Sequence, residues 1–160
     1  MLVYIGIDPG PEESAVVAIT ETGEVVRKGQ YVENTGMEAR LKGLRCELKA
    51  TCRIAVEDFA PYGKHLGQES MATIRWIGVF EYVCHAKRID RPTIKLALCD
   101  VRSAKDSDVR DALVHKYGPG KATAVGRKAT PGPLYGITGH LWPALAVAVV
   151  LAQQDRRGKP

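Results

Sequence analysis

The chain has 160 residues, of which 45% are hydrophobic and 26% are charged, and it carries a net charge of +5. This size and composition predict one globular domain and exclude a small fold that depends on disulfide staples. The basic excess favours an anionic partner such as nucleic acid.

The cysteines and the N-terminus predict an intracellular protein. The four cysteines form no CxxC pair and show no metal-binding spacing with histidine, so we expect buried free thiols. The first residues, MLVYIGID, lack the basic segment of a signal peptide. The longest apolar run, 141–152, is too short to span a bilayer, so we expect no membrane partner.

The first sixty residues predict three strands, a helix and a fourth strand. Apolar runs separated by turn sequences place strands at 2–8, 15–20 and 25–32. Over 33–50, apolar residues recur every three or four positions, which predicts a helix. A fourth, short strand follows at 52–59.

The middle of the chain continues with alternating elements. Helical spacing predicts a helix over 69–88, and the apolar run 92–99 predicts a fifth strand. Residues 107–117 predict a short helix with Ser107 as its N-cap. This order predicts an α/β fold with a five-stranded mixed sheet, its first three strands antiparallel, flanked by helices.

The last third consists of a long loop, a helix and a tail. Residues 118–138 are basic and rich in Gly and Pro, and a loop of this length is either functional or disordered. A final apolar helix follows over 139–154, so we expect one domain over 1–154 and a frayed basic tail over 155–160.

Three polar residues stand at the ends of apolar elements. Asp8 ends the first strand, Glu57 ends the fourth strand, and His140 begins the last helix. If the two strands are neighbours, their carboxylates meet at one sheet edge and would require a cation or a proton between them. The alternative is that each acid only faces water at the end of its strand.

The motifs that contain these residues resemble a known family. IGIDPG at 5–10, IAVED at 54–58 and HLWPALAVAVV at 140–150 resemble, in order and spacing, the RuvC family of Holliday-junction resolvases. The resemblance covers nearly the whole chain and implies a ribonuclease H-like fold. It also implies a cytoplasmic protein of a bacterium or of a phage-infected cell, and the divergent last motif favours a phage-type member.

The resemblance implies an active site with one departure. Asp8 matches the first catalytic acid, Glu57 the second, and His140 a third position that family members fill with Asp or His. Pro143 stands where the family has a fourth acid, although the first turn of a helix tolerates proline. Asp58, which should point to the opposite face, and Asp100 are candidate substitutes. A helix cap or a surface ring remains the alternative for His140.

By the same resemblance, the activity would be metal-dependent cleavage of branched DNA. Two Mg²⁺ ions would be held by Asp8, Glu57 and His140, and Mn²⁺ would be favoured because one ligand is a nitrogen. No nucleotide cofactor is implied. The family works as a homodimer, and the interface would lie on the helix that carries Ile74, Trp76, Ile77 and Phe80.

Basic residues that would contact DNA lie in the loops and on one helix near this edge. They are Lys64, His65, Arg75, Arg102, Lys105, Lys121, Arg127 and Lys128. The alternative for each is a solvated surface charge. Tyr62 and Phe59 would stack on bases, with core packing as the alternative for Phe59.

Two other functions are compatible with the sequence. Loss of the acid at position 143 would suit a protein of the same fold that holds branched DNA without cutting it. A nuclease for flaps, forks or duplex DNA would share the same residues. An actin-like phosphotransferase also begins with a strand ending in Asp, but this chain is too short for its second lobe.

Overall fold

The computed structural model describes residues 1–60, 63 and 65–158, and its centre is one five-stranded mixed sheet. The strands are β1 (Leu2–Asp8), β2 (Glu13–Thr20), β3 (Val25–Glu33), β4 (Thr51–Asp58) and β5 (Lys87–Asp90). Their order in the sheet is β3-β2-β1-β4-β5. The first three strands pair antiparallel, whereas β1 with β4 and β4 with β5 are parallel. The predicted α/β class and mixed sheet are therefore confirmed.

Helices cover both faces of this sheet. They are α1 (Met37–Leu48), α2 (Gln68–Cys84), α3 (Arg91–Cys99), α4 (Asp106–Tyr117), α5 (Lys121–Ala124) and α6 (Leu141–Arg157). Side chains of β1 alternate between two apolar layers, one shared with α1 and α2 and the other with α3, α4 and α6. In the described part of the chain, no helix has the length and apolar character needed to cross a membrane.

The last helix lies in the middle of the protein. Every residue of α6 from Leu141 to Ala152, apart from Pro143, is buried, because the sheet covers one side and α3, α4 and the 118–138 segment cover the other. Tyr4 of β1 donates a hydrogen bond to Asp155 at 2.7 Å, and Arg53 forms an ion pair with the same carboxylate at 2.5 Å. The helix thus continues into the predicted tail through Arg157.

Gly6 allows α6 to contact β1 backbone to backbone. A Cβ at Gly6 would lie 2.1 Å from the carbonyl oxygen of Ala144 and 2.5 Å from the nitrogen of Ala148. Ala144 and Ala148 are four residues apart and therefore lie on the same side of the helix. This close approach sets α6 against the strand that ends at Asp8.

The fifth strand was predicted in the wrong place. Residues 92–99 belong to helix α3, and the strand is the preceding segment, Lys87–Asp90. Asp90 caps α3, because its side chain accepts a hydrogen bond from the Thr93 amide at 2.8 Å, and Pro92 fits the first turn. Helix α2 ends earlier than predicted, at Cys84, and its C-cap residue His85 has a φ of 52°, which frees 87–90 for the sheet.

Two further predictions of local structure were wrong. Helix α4 begins at Asp106, after Lys105 rather than after Ser107, and Asp108 accepts a hydrogen bond from the Lys105 amide at 2.7 Å. The 118–138 segment contains α5 and a short hairpin of β6 (Gly126–Arg127) and β7 (Thr130–Pro131). Buried side chains in this segment, Ala124, Leu134 and Ile137, attach it to the layer that contains α6.

The contact at Gly6 predicts the effect of adding one methyl group there. Gly6→Ala is expected to lower the free energy of unfolding by about 1–3 kcal/mol, because the helix backbone must move to admit the methyl group. Urea denaturation measures this change. The control is Gly43→Ala in α1, where nothing lies within 4 Å of the added carbon. The free energy of unfolding of Gly43→Ala should rise by about 0.5–1 kcal/mol, because alanine has a higher helix propensity than glycine. Equal stability of Gly6→Ala and wild type would contradict the proposed contact.

Candidate active site

Two acids meet at one edge of the sheet. Asp8 and Glu57 end the neighbouring parallel strands β1 and β4, which are aligned with Ile7 opposite Val56. Both side chains point toward the α6 layer, as alternation along each strand requires. Glu57 is only 9% exposed, and the Asp8 side chain only 13%. The structure therefore brings the two predicted acids together in a largely buried position.

A buried polar network holds the turn that follows Asp8. Ser14 donates a hydrogen bond to the Asn34 side chain at 2.6 Å, and the Asn34 amide group donates to the Gly10 carbonyl at 3.0 Å. A Cβ at Gly10 would lie 2.3 Å from the Glu13 carbonyl oxygen, so this turn needs glycine. Ser14 and Asn34 were not predicted, because single polar residues at strand and helix ends are common and have no distinctive pattern.

His140 lies beside Asp8 at the start of α6. Its Nδ1 is 2.9 Å from Asp8 Oδ2, and its side chain is 70% exposed. His140 occupies the N-cap position of α6, as its alternative interpretation predicted, but its ring makes no capping hydrogen bond to the helix. The loop before it is held by Lys28, which donates to the Tyr135 carbonyl. One edge of the imidazole thus contacts the buried acid while the other faces solvent.

Arg91 is a member of the site that the sequence analysis missed. It is the first residue of α3, and its Nε donates to Glu57 Oε1 at 2.7 Å. Its Nη1 lies 3.3 Å from Asp106 Oδ2, so the guanidinium bridges two acids. Asp106 also lies 3.5 Å from the Lys95 ammonium. The Asp-Arg-Pro-Thr sequence at 90–93 is a helix-start signal that could have identified this position.

Burial and charge oppose each other at the two acids. Burial raises the pKa of Asp8 above its usual range, and the hydrogen bond and charge of His140 offset part of that rise. Burial also raises the pKa of Glu57, Arg91 lowers it, and the neighbouring Asp8 raises it further. For Arg91 itself, burial acts to lower the pKa, but Glu57, Asp106 and Asp8 outweigh that effect and raise it. The two carboxylates thus need positive charge near them to stay ionised together.

Neither substitute acid replaces the one missing at position 143. Asp58 faces the opposite side of the sheet, as expected, where Arg88 binds it at 2.8 Å. Asp100 was a wrong candidate: it lies at the C-terminal end of the nine-residue α3, about 13 Å of helix away from Arg91. Pro143 is the third residue of α6, and the helix forms normally around it. It borders a 540 Å³ cleft between α3, α4 and α6 that also reaches Glu57.

The available ligands suit one hard divalent cation better than two. Asp8 and Glu57 each keep one carboxylate oxygen that has no hydrogen-bond partner in the described part of the chain. Among the described residues, no three His, Cys, Asp or Glu side chains form a ready metal site. Mg²⁺ is often held by one or two carboxylates, with water and substrate phosphate completing its shell. The acid pair fits that pattern. Pro143 supplies no ligand, and of the other acids that border its cleft, Asp106 is paired with Arg91 and Lys95 while Asp111 is exposed on α4.

The predicted DNA-binding residues that the structure describes lie at the protein surface. Among the described ones, all are exposed and none forms a side-chain ion pair: His65, Arg75, Arg102, Lys105, Lys121, Arg127 and Lys128. Lys121 borders the 540 Å³ cleft, and Arg127 and Lys128 lie at the β6–β7 turn. Phe59 is also exposed beside the acids rather than packed in the core. Lys64 and Tyr62 fall outside the described residues.

The outer surface of α2 differs from the prediction. Ile77 and Phe80 pack into the layer beneath the sheet and are buried, so they cannot form an interface. The apolar residues that α2 exposes are Met71, Val79 and Tyr82.

The fold is similar to that of solved RuvC structures. The Thermus thermophilus RuvC structure matches with a TM-score of 0.66 and 19% sequence identity, over 98% of this chain and 96% of that chain. The T. thermophilus RuvC in complex with Holliday junction substrate matches with a TM-score of 0.66 and 18% identity, over 99% and 97%. No protein-family model matches the sequence, and no curated protein matches it either. The predicted ribonuclease H-like fold is confirmed by this likeness.

The raised pKa of Asp8 predicts that its ionised form destabilises the fold. The carboxyl has an ordinary pKa of 3.8 and a higher one in the folded protein. The cost is therefore absent at low pH, grows as pH rises through the folded-state pKa, and is complete at neutral pH. Asp8→Asn is expected to raise Tm at pH 7 by roughly 2–4 °C, the shift that about 1 kcal/mol gives in a domain of this size.

Thermal unfolding followed between pH 4 and pH 7 measures this effect. The difference between Asp8→Asn and wild type should shrink as pH falls. Asp111→Asn, an exposed acid on α4, serves as the control and should leave Tm unchanged. A lower Tm for Asp8→Asn at pH 7 would mean that pairing with His140 outweighs the cost of burial.

Proposed function

We propose that this protein is a divalent-metal-dependent endonuclease that cuts branched DNA, with the four-way junction as its preferred substrate. The observation that carries the proposal is the buried pair of Asp8 and Glu57, with His140 bonded to Asp8 at the same sheet edge. The fold is similar to that of a RuvC solved with Holliday junction substrate, which supports branched DNA as the substrate.

The two acids would hold the metal, and His140 would accept a proton from the attacking water. When bound by Asp8 and Glu57, the ion would supply Lewis-acid charge to the phosphate and lower the pKa of bound water. If the Nδ1–H of His140 donates a hydrogen bond to Asp8, the exposed Nε2 is the basic nitrogen and can accept a proton from the attacking water. Asp8 would therefore also select the imidazole tautomer.

The exposed cations would bind the DNA backbone. Basic groups without acidic partners attract phosphates over several ångströms and release counterions when they bind. Lys128 and Arg127 on the hairpin are the nearest such groups in sequence to His140, and Lys121 borders the cleft that reaches Glu57. Phe59, exposed at the rim of the acids, would contact an unstacked base.

A homodimer would present two such sites to a junction with two equivalent strands. Met71, Val79 and Tyr82 form an exposed apolar strip on α2, and a two-fold axis at this strip would bury them against the same residues of a partner. This strip differs from the predicted interface, of which Ile77 and Phe80 are buried and Ile74 and Trp76 are half-buried.

Loss of the acid at position 143 supports a second candidate function, binding of branched DNA without cleavage. Pro143 supplies no metal ligand, and Arg91 already occupies one oxygen of Glu57. Retention of both buried acids and His140 favours cleavage. The ionised pair lowers the stability of the fold, so a protein that only bound DNA would have no use for it.

Cleavage of labelled DNA separates the two functions. We expect the wild type to nick a four-way junction in Mg²⁺ and faster in Mn²⁺, and to lose activity in EDTA. Glu57→Gln should lower the rate by at least about 10³-fold, and His140→Ala by roughly 10²–10⁴-fold, as for the loss of a general base. Glu47→Gln on α1 and His115→Ala near the C-terminal end of α4, both exposed, are the matched controls. Tight junction binding without cleavage in either metal would establish the second function.

The role of the hairpin cations is tested by salt dependence. Replacing Arg127 and Lys128 together with Ala should reduce the slope of log affinity against log salt by roughly 2, at about 0.9 per phosphate contact. Fluorescence anisotropy of a labelled junction at several salt concentrations gives the slope. The control pair, Arg40→Ala with Lys42→Ala on α1, should leave it unchanged. An unaltered slope in the hairpin variant would remove these residues from the DNA interface.

A further inference from the structure

Arg91 lies beside Glu57, in a candidate site that has one carboxylate fewer than a two-metal site would use. We propose that the Arg91 guanidinium supplies to the scissile phosphate the positive charge that a second metal ion would otherwise supply, so that the site works with one divalent ion. This inference rests on the proposed nuclease function and replaces the expectation of two ions.

The contacts of Arg91 aim it at the reacting group. Its Nε binds Glu57 and its Nη1 binds Asp106, which leaves Nη2 without a hydrogen-bond partner in the described part of the chain. The side chain is 43% exposed. Arg91 also borders both the 540 Å³ cleft beside Pro143 and a 270 Å³ opening above Asp8 and Glu57. A phosphate that reaches the two acids through either opening would therefore meet the guanidinium.

The charges around Glu57 disfavour a second cation. A guanidinium 2.7 Å from Glu57 already neutralises this carboxylate and would repel an ion placed on the same side. A carboxylate at position 143 would offset that repulsion, but proline has none. A guanidinium can instead donate hydrogen bonds to phosphate oxygens with fixed geometry, and it remains charged at every relevant pH.

Asp106 is a positioning residue for this guanidinium. It is the first residue of α4 and holds Nη1 from the side opposite Glu57. Lys95 also approaches the Asp106 carboxylate, so the carboxylate is not free to draw Arg91 away from Glu57. The guanidinium is thus held between two acids on separate elements, which fixes its position before the substrate arrives.

The chemistry requires no bond to Arg91. A water oxygen attacks phosphorus as the bond from phosphorus to the 3′-oxygen breaks, the proton of the attacking water passes to His140, and the departing 3′-oxygen takes a proton from a solvent water. Negative charge grows on the phosphate oxygens during this step, and Arg91 would stabilise it through hydrogen bonds alone. Loss of a charge-stabilising donor of this kind lowers rates by about 10²–10³-fold.

The competing explanation is that Arg91 only neutralises Glu57 and stabilises the fold. The two roles differ in their effects on metal binding and on the rate with saturating DNA. We would therefore measure Mn²⁺ binding by calorimetry and electron paramagnetic resonance, and single-turnover cleavage of a four-way junction. The proteins are the wild type, Arg91→Ala, Arg91→Lys and the double variant Arg91→Ala with Pro143→Asp. Arg88→Ala, an arginine at the same sheet edge on the opposite face, is the matched control.

The proposal predicts a specific set of results. The wild type should bind one Mn²⁺ per chain, Arg91→Ala should bind one ion about tenfold more tightly because a nearby cation is gone, and the double variant should bind two. Arg91→Ala should cleave about 10²–10³-fold more slowly with little change in DNA affinity. Added guanidinium ion should restore part of that rate, Arg91→Lys should be intermediate, and Arg88→Ala should match the wild type.

Three outcomes would overturn the proposal. Binding of two Mn²⁺ ions by the wild type would show that Arg91 replaces none. Full cleavage by a folded Arg91→Ala variant would remove its catalytic role while leaving the nuclease function intact. A wild type that binds junctions but cuts them in neither metal would end the nuclease function and, with it, the role of Arg91.

Discussion

The close contact between α6 and β1 is the constraint on which the rest of the site depends. Gly6 has no side chain, so the strand lies directly against Ala144 and Ala148. This contact brings the start of α6 to the end of β1, where His140 reaches Asp8. Tyr4 and Arg53 bind Asp155 near the other end of the helix, so its position along the strand is held at both ends.

The site then follows from pairing buried acids with cations. Two carboxylates at adjacent strand ends repel each other, and burial raises the pKa of both. His140 sits against one acid and Arg91 against the other, each from a helix N-terminus, at α6 and α3 respectively. The acids are thus kept in a position that is unfavourable for stability, which is the usual relation between a reactive site and its fold.

Pro143 and Arg91 border the same cleft beside Glu57. Proline in the first turn costs α6 nothing, because the amide it lacks would have no partner in the helix. Pro143 forms part of the wall of a cleft together with Trp142 and Ala146, at the position where the sequence resemblance predicted an acid. The Arg91 guanidinium compensates the charge of Glu57 at this cleft, and Asp106 on α4 forms a second ion pair with it.

The sequence alone determined the class of fold, most of the element order and three members of the site. Asp8, Glu57 and His140 could be identified because each occurs in a compact motif at the end of an apolar element. Alternation also placed Asp58 correctly on the opposite face. These properties depend on local periodicity and on neighbours in the chain, which are readable from the residues themselves.

Only the tertiary structure decided the partners of those residues. The fifth strand was predicted at 92–99 because a short apolar run suits a strand as well as a buried helix. In the structure this segment belongs to helix α3, which Asp90 caps and whose first turn contains Pro92. That shift places Arg91 beside Glu57, 34 positions away in sequence, and moves Asp100 out of the site. Ser14 with Asn34 and Arg91 with Asp106 are likewise contacts between separate elements. A contact of this kind depends on how elements pack, and no local pattern of residues encodes it.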